Sequence, residues 1–304
     1  MPAPETPQQQ LEWEARLRPR AAVASVIAGL LVFAGQIGQQ VVFQGLPDSS
    51  LVESFQRAEQ PGPLSKLPSL QTPAAQWLSD HTVWMLVSFF AEAIGSFALA
   101  YALTFLAAAT KARRERFPRV ALYLPVIGGV LVGMAAIGRG VGRALDVSSF
   151  LDGPRTVGAA QDIGLGSLSL VAEVIYYPAS LALAAGIVMV SLQAMRAGLL
   201  TRFLGILGVI VGGLQVIRIG PLPLVQTFWF LSLAVLFAGG RPRSEPPAWR
   251  TGREEPWPSQ QEFAKTRAKE RADRRPAAKP EPEPVPAGGA PSAATSKRKR
   301  KRRH

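Results

Sequence analysis

Between residues 21 and 239 the chain carries six apolar runs, most of them about as long as a bilayer is thick. A helix needs ~20 apolar residues to cross ~30 Å of hydrocarbon. Backbone polar groups in lipid must also bond to one another, so only helices or closed barrels can span. Long continuous runs without two-residue alternation point to helices. The runs cover 21–43, 83–110, 120–141, 163–193, 203–219 and 222–239. The fold class expected is therefore all-α, a polytopic transmembrane helix bundle of about six spans. The second and fourth runs are longer than needed, which predicts tilt or protrusion. The fifth is near the lower limit. Arg218, Gly220, Pro221 and Pro223 read as a tight turn between the last two runs. Without that turn the count falls to five and the C-terminus changes side. Arg16, Arg18 and Arg20 precede the first run, as they would in a signal peptide. The run is too long for one and no A-x-A site follows, so it reads as a retained span.

The average composition describes neither half of the chain. Hydrophobic residues make up 48% and the formal net charge is +13. The apolar residues gather in 21–240, while 241–304 is mostly Pro, Ala, Lys, Arg and Glu. Residues 1–20 are then a short cytoplasmic segment, 21–240 the membrane domain and 241–304 a disordered, basic cytoplasmic tail. The chain has no cysteine, which excludes disulfides, thiolate metal sites and thiol nucleophiles. Its two histidines, His81 and His304, lie outside the apolar runs. A zinc-protease helix needs paired histidines, and no phosphate-cradling G-x-x-x-x-G-K-[ST] loop occurs. The sequence thus offers no catalytic constellation, no metal site and no cofactor site.

Lys and Arg concentrate in cytoplasmic loops. With six spans, one side holds Arg16, Arg18 and Arg20, then Lys111, Arg113, Arg114, Arg116 and Arg119, then Arg196 and Arg202, and then the tail. The cations of the other side are offset by acids. This predicts a multi-pass protein of the cell membrane with both termini cytoplasmic. The loop from about residue 44 to 81 is then extracytoplasmic. Leu51, Val52 and Phe55 within it read either as an amphipathic turn on the membrane surface or as plain loop.

Charge inside a bilayer is expensive and usually faces a partner or a cavity. Glu92 in the second run and Glu173 in the fourth lie at similar depth, roughly 15 Å from their outer ends at ~1.5 Å per residue. The candidate partners are Arg139 and Arg143, four apart on one helix face, and Arg218. Gln36, Gln39 and Gln40 add polar groups in the first run. Tyr177 shares the face of Glu173, and Pro178 is placed to kink that helix. This outer-half cluster has two readings: charge pairs that hold helices together, or an outward-facing site for a small solute. Small residues four apart (Gly129 and Gly133, Gly208 and Gly212, Ala34 and Gly38, Ala91 and Gly95) predict close helix packing, within the bundle in the favoured reading and between two copies in the alternative.

In the tail, Ser259 and Glu262 form a capping box for a charged helix over 259–275. The composition of 276–295 cannot bury a core. The end, Lys297, Arg298, Lys299, Arg300, Lys301, Arg302 and Arg303, is a run of successive cations. It suits anionic lipid headgroups, as does the basic loop at 111–119. Phosphates of a nucleic acid and a solubilising tail without a partner stay open.

Met195 to Leu214, MRAGLLTRFLGILGVIVGGL, joins a span end, a short basic turn and a Gly-rich span. In this the chain resembles small six-span bacterial membrane proteins grouped as a domain of unknown function, with the Ala/Arg/Gly/Pro usage of actinobacterial proteins. The resemblance implies the six-span fold over about residues 18–240 and brings no activity, cofactor, catalytic residue or oligomeric state. The functional expectation is a scaffold or accessory membrane protein working through its polybasic tail. The alternative is a small-solute transporter or sensor built around Glu92 and Glu173.

Overall fold

The computed structural model describes residues 6–47, 63–216, 223–239, 246–255 and 268. Residues 1–257 form one compact unit and 258–304 a second. The stretch around Leu51, Val52 and Phe55, Arg218 with the turn after it, the expected helix at 259–275 (apart from Ala268) and the polybasic run 297–303 lie outside the described residues.

The described part is all-helical, and four helices are long and apolar enough to cross a membrane. They are α1 (Pro7–Gln44), α3 (Thr82–Arg113), α4 (Val120–Asp152) and α6 (Ser167–Arg196). Two apolar helices are shorter: α7 (Arg202–Val216) and α8 (Leu224–Phe237). At ~1.5 Å per residue they reach only about 20 Å. Short helices α2 (Thr72–Asp80), α5 (Val157–Gln161) and α9 (Ala248–Thr251) and one 3-10 turn (Leu64–Lys66) complete the described set.

Three boundaries differ from the sequence reading. Helix α1 begins at Pro7 rather than near Ala21. Thr6 caps it through a reciprocal box with Gln9, and Pro7 stands at its first position, where a missing N–H costs nothing. Helix α4 runs to Asp152, past the apolar limit at 141, because Val147 and Phe150 stay buried beside α2. Residues 246–255 were expected to be part of a disordered tail. Instead they pack against the bundle, with Trp249 only 3% exposed.

The helices close a ring in which α1 packs on α3, α3 on α4, α4 on α6, α6 on α7, α7 on α8 and α8 back on α1. Chain direction alternates around it. The start of α1, the end of α3, the start of α4, the end of α6, the start of α7 and the end of α8 lie at one end, here called the basic end. Contacts from Glu14 to Arg113, Arg114 to Gln193 and Arg18 to Leu236 establish this. At the other end, residues 67–69 pair with 155–157 through backbone hydrogen bonds. There α2 lays Trp77 over Gly45, and its indole N–H donates to the Val42 carbonyl.

Small residues set the helix spacing. A Cβ at Gly35 would come 2.6 Å from the Ser88 carbonyl oxygen and 2.7 Å from the Glu92 nitrogen, so α1 and α3 touch backbone to backbone. Gly129 and Gly133 face Ala100 and Phe97 of α3, and Gly208 and Gly212 face Ser191 and Ala184 of α6. The expected G-x-x-x-G pairs thus pack inside the bundle. Ala34 is exposed, and Gly35 with Gly38 does the close packing on α1 instead.

Candidate functional site

Two polar clusters interrupt the apolar interior. The first lies in the half of the bundle away from the basic end. Glu92 on α3 accepts a hydrogen bond from the Gln39 amide nitrogen at 2.7 Å. Arg139 on α4 approaches the same carboxylate oxygen at 3.4 Å. The two charged side chains are 5% and 15% exposed. The Arg139 guanidinium lies 4.0 Å from the Tyr176 ring centroid and 5.6 Å from that of Phe89. Aromatic faces favour a cation there. The Arg139 Nε is buried and has no hydrogen-bond partner among the described residues. Gly35 lets α1 approach closely enough for Gln39 to reach Glu92. The pair therefore ties α1, α3, α4 and α6 together, and burying either charge alone would cost several kcal/mol (~3–5).

Other residues of the expected cluster stand apart from this pair. Glu173 is half-buried and makes no hydrogen bond or ion pair among the described residues. Glu173 and Tyr177 do share a helix stripe, but it is not the packed one. The buried face of α6 runs through Ser169, Ala172, Tyr176, Ala179, Ser180 and Leu183. Tyr177 is 63% exposed, and its neighbour Tyr176 is the phenol that meets arginine. Helix α6 continues through Pro178 without a break. Arg143 points along Phe43, 5.8 Å from its ring centroid, and does not join Glu92. Gln36 and Gln40 are half-buried and make no hydrogen bonds among the described residues. One acid, one arginine, one glutamine and one tyrosine thus converge, and the second acid does not.

The second cluster, at the basic end, was not anticipated. Glu14 of α1 and Arg113 of α3 form a buried two-pronged ion pair, their side chains 2% and 0% exposed. One prong is Arg113 Nη2 to Glu14 Oε2 at 2.8 Å, and the other joins Nη1 to Oε1. Nη1 also donates to the Ala109 carbonyl at 2.9 Å. Nε and Nη2 donate to the Ala248 carbonyl at 3.2 and 2.9 Å. Every N–H of the guanidinium is used. Gln10 donates to Glu14 Oε1 at 2.6 Å. Charge-assisted, two-pronged contacts of this kind are the stronger class of hydrogen bond.

Ala248 belongs to the segment 246–255, which works as a latch across this end. Its Trp249 inserts beside Phe105 and Phe237. The indole N–H donates to the Leu199 carbonyl at 2.9 Å. Arg18 and Arg113 lie 4.4 and 5.4 Å from the ring centroid. Arg114 pairs with Glu254 at 3.3 Å, and the Glu255 N–H donates to Ala197. Two open clefts of about 560 and 280 Å³ flank the latch and share Pro7, Arg253 and Glu254. The one sequence signal for this contact was a tryptophan, Trp249, in a charged, Pro-rich stretch. Trp249→Phe loses the hydrogen bond and also the buried volume of the pyrrole ring, so it should cost about 2–3 kcal/mol. Thermal unfolding in detergent would show this as a fall in melting temperature, and an unchanged temperature would dismiss the contribution of both the bond and the ring.

Among the described residues no three His, Asp or Glu side chains gather as a metal site. No known protein family, curated protein or solved structure matches the chain.

Proposed function

We propose that the protein is a multi-pass scaffold of the cell membrane that presents its C-terminal polybasic tail to an anionic partner on the cytoplasmic side. In this reading α7 and α8 also cross, as a hairpin, giving six spans. The basic end faces the cytoplasm in accord with its excess of Lys and Arg. The resemblance to six-span bacterial membrane proteins fits this arrangement and adds no activity. The polybasic run suits anionic lipid headgroups at the inner leaflet, each cation contributing roughly 1 kcal/mol near the surface.

The observation that carries the reading is the latch. It fastens residues 246–255 to the bundle beside α1 and α3, immediately before the tail in sequence. A solute carrier has no need of that arrangement, whereas a protein that displays a tail does. The state of Glu92 points the same way. It is buried and bonded to Gln39 and Arg139, as a structural pair is.

Complementation of a strain lacking the protein separates the two readings. Removing residues 276–304 should abolish rescue, while Glu92→Gln, at equal membrane abundance, should leave it nearly intact. The opposite pattern would favour the small-solute transporter or sensor, with Glu92 at its site.

A further inference from the structure

We infer that the basic end carries a binding site for an anionic phospholipid, formed jointly by the α3–α4 loop (114–119) and the α6–α7 loop (197–201) with their flanking turns. The inference rests on the reading that the helices cross a bilayer, and it adds a ligand that the scaffold reading does not require.

The basic run at 111–119 divides into two kinds of cation. Arg113 and Arg114 are consumed inside the protein, by Glu14 and Ala248 and by Gln193 and Glu254. Arg116 and Arg119 are exposed and make no hydrogen bond or ion pair among the described residues. The same is true of Arg196 and Arg202 on the other loop. Packing brings the two loops together. Arg114, at the start of one loop, donates to Gln193 in the last turn of α6 at 2.8 Å, and α6 leads into the other loop. Gly186 sits against Pro125, and Gly205 against Met195, so the starts of α4 and α7 both lie along the last turns of α6. Arg196 stands at the end of α6, the helix that packs against both α4 and α7. Within the two loops Glu115 is the one acid, and it too is exposed, while the latch adds Glu254, paired with Arg114, and Glu255, whose N–H donates to Ala197.

Guanidinium groups match phosphate oxygens in a planar fork. Four of them, unpaired among the described residues and carried on two pinned loops, would hold a phosphate diester. What selects a lipid over a free phosphate is the surface beside them. One turn along α4 from Arg119, Tyr123 is exposed, and Phe203 directly follows Arg202 on α7. Aromatic side chains beside cations are the pattern of the headgroup boundary. The phosphate lies on the arginines, and the acyl chains run down past Tyr123 and Phe203.

The test uses the full chain, purified in a neutral detergent, with the cations at 297–303 changed to glutamine so that the tail supplies no binding. Retained lipid is counted by native mass spectrometry after adding phosphatidylglycerol, phosphatidylcholine or inorganic phosphate. Phosphatidylglycerol should be retained and should raise the melting temperature, and the other two probes should do neither. Changing Arg116, Arg119, Arg196 and Arg202 together to glutamine should weaken phosphatidylglycerol binding by about tenfold or more, given the usual contribution of each surface cation. The lipid-free melting temperature should not move, because all four side chains are exposed, and a fall shared with Arg116→Gln/Arg119→Gln alone would assign them a packing role instead. Equal binding by the quadruple variant would overturn the proposal, as would equal stabilisation by phosphate or phosphatidylcholine. None of these outcomes touches the complementation result, so the scaffold reading stands or falls separately.

Discussion

Replacing Arg113 by alanine should destabilise the protein by ~3–5 kcal/mol, the usual cost of stripping one partner from a buried ion pair. The guanidinium is fully buried and its donors serve three chain segments. Without it Glu14 keeps only the Gln10 amide, and the Ala248 carbonyl loses two donors. Unfolding of the detergent-solubilised protein would report the loss. A second arm tests the cause. Arg113→Met with Glu14→Leu removes both charges and keeps apolar volume, and such exchanges are often neutral. The double variant should regain most of the stability. If it is as weak as Arg113→Ala, the cost lies in lost packing and not in an orphaned carboxylate.

The second large effect is expected at Gly35. Valine there places a Cβ against the backbone of α3, at 2.6 Å from one oxygen and 2.7 Å from one nitrogen. Overpacking costs typically ~1–3 kcal/mol. The upper end, about 3 kcal/mol, is expected here because the obstacle is main chain and cannot rotate away. Separating α1 from α3 would also draw Gln39 off Glu92. Gly213 is the control, since a Cβ there meets nothing within 4 Å. Gly213→Ala should be neutral or slightly stabilising, as alanine favours helix by up to ~1 kcal/mol. Equal melting temperatures for Gly35→Val and Gly213→Ala would show that the close approach of α1 and α3 does not limit stability.

The helical class and the positions of the apolar runs were legible because hydropathy is local. The ends of the helices were less so. Asp146, Ser148 and Ser149 follow the apolar run of α4, yet the helix continues through them, and Asp146 accepts hydrogen bonds from Ser169 and Gly164 and so is satisfied in place. Residues 1–20 read as a flank of the first span, yet Pro19 lies inside α1, where it removes one backbone donor without ending the helix. In the polar cluster, spacing placed Glu173 and Tyr177 on a common stripe but could not say which stripe faces inward. The glycines opposite α6 decide that, and they sit on other helices. Least legible was the Glu14–Arg113 pair. Both residues lie outside the apolar runs, where charge was read for orientation alone, and their contact spans 99 residues of sequence.

The latch also bears on the order in which the protein is made. Glu14 and Arg113 leave the ribosome early, and Ala248 follows Arg113 by 135 residues. Domains form from the N-terminus onward during synthesis, so α1 and α3 can meet long before their last ligand exists. Until residue 248 emerges, the arginine keeps two donors idle and the hollow later filled by Trp249 stands open to water. A nascent chain that stops between residues 238 and 247 carries every apolar helix described here, yet its basic end is unsealed. Closure of that end is therefore a record, written in hydrogen bonds, that translation has passed the last apolar helix.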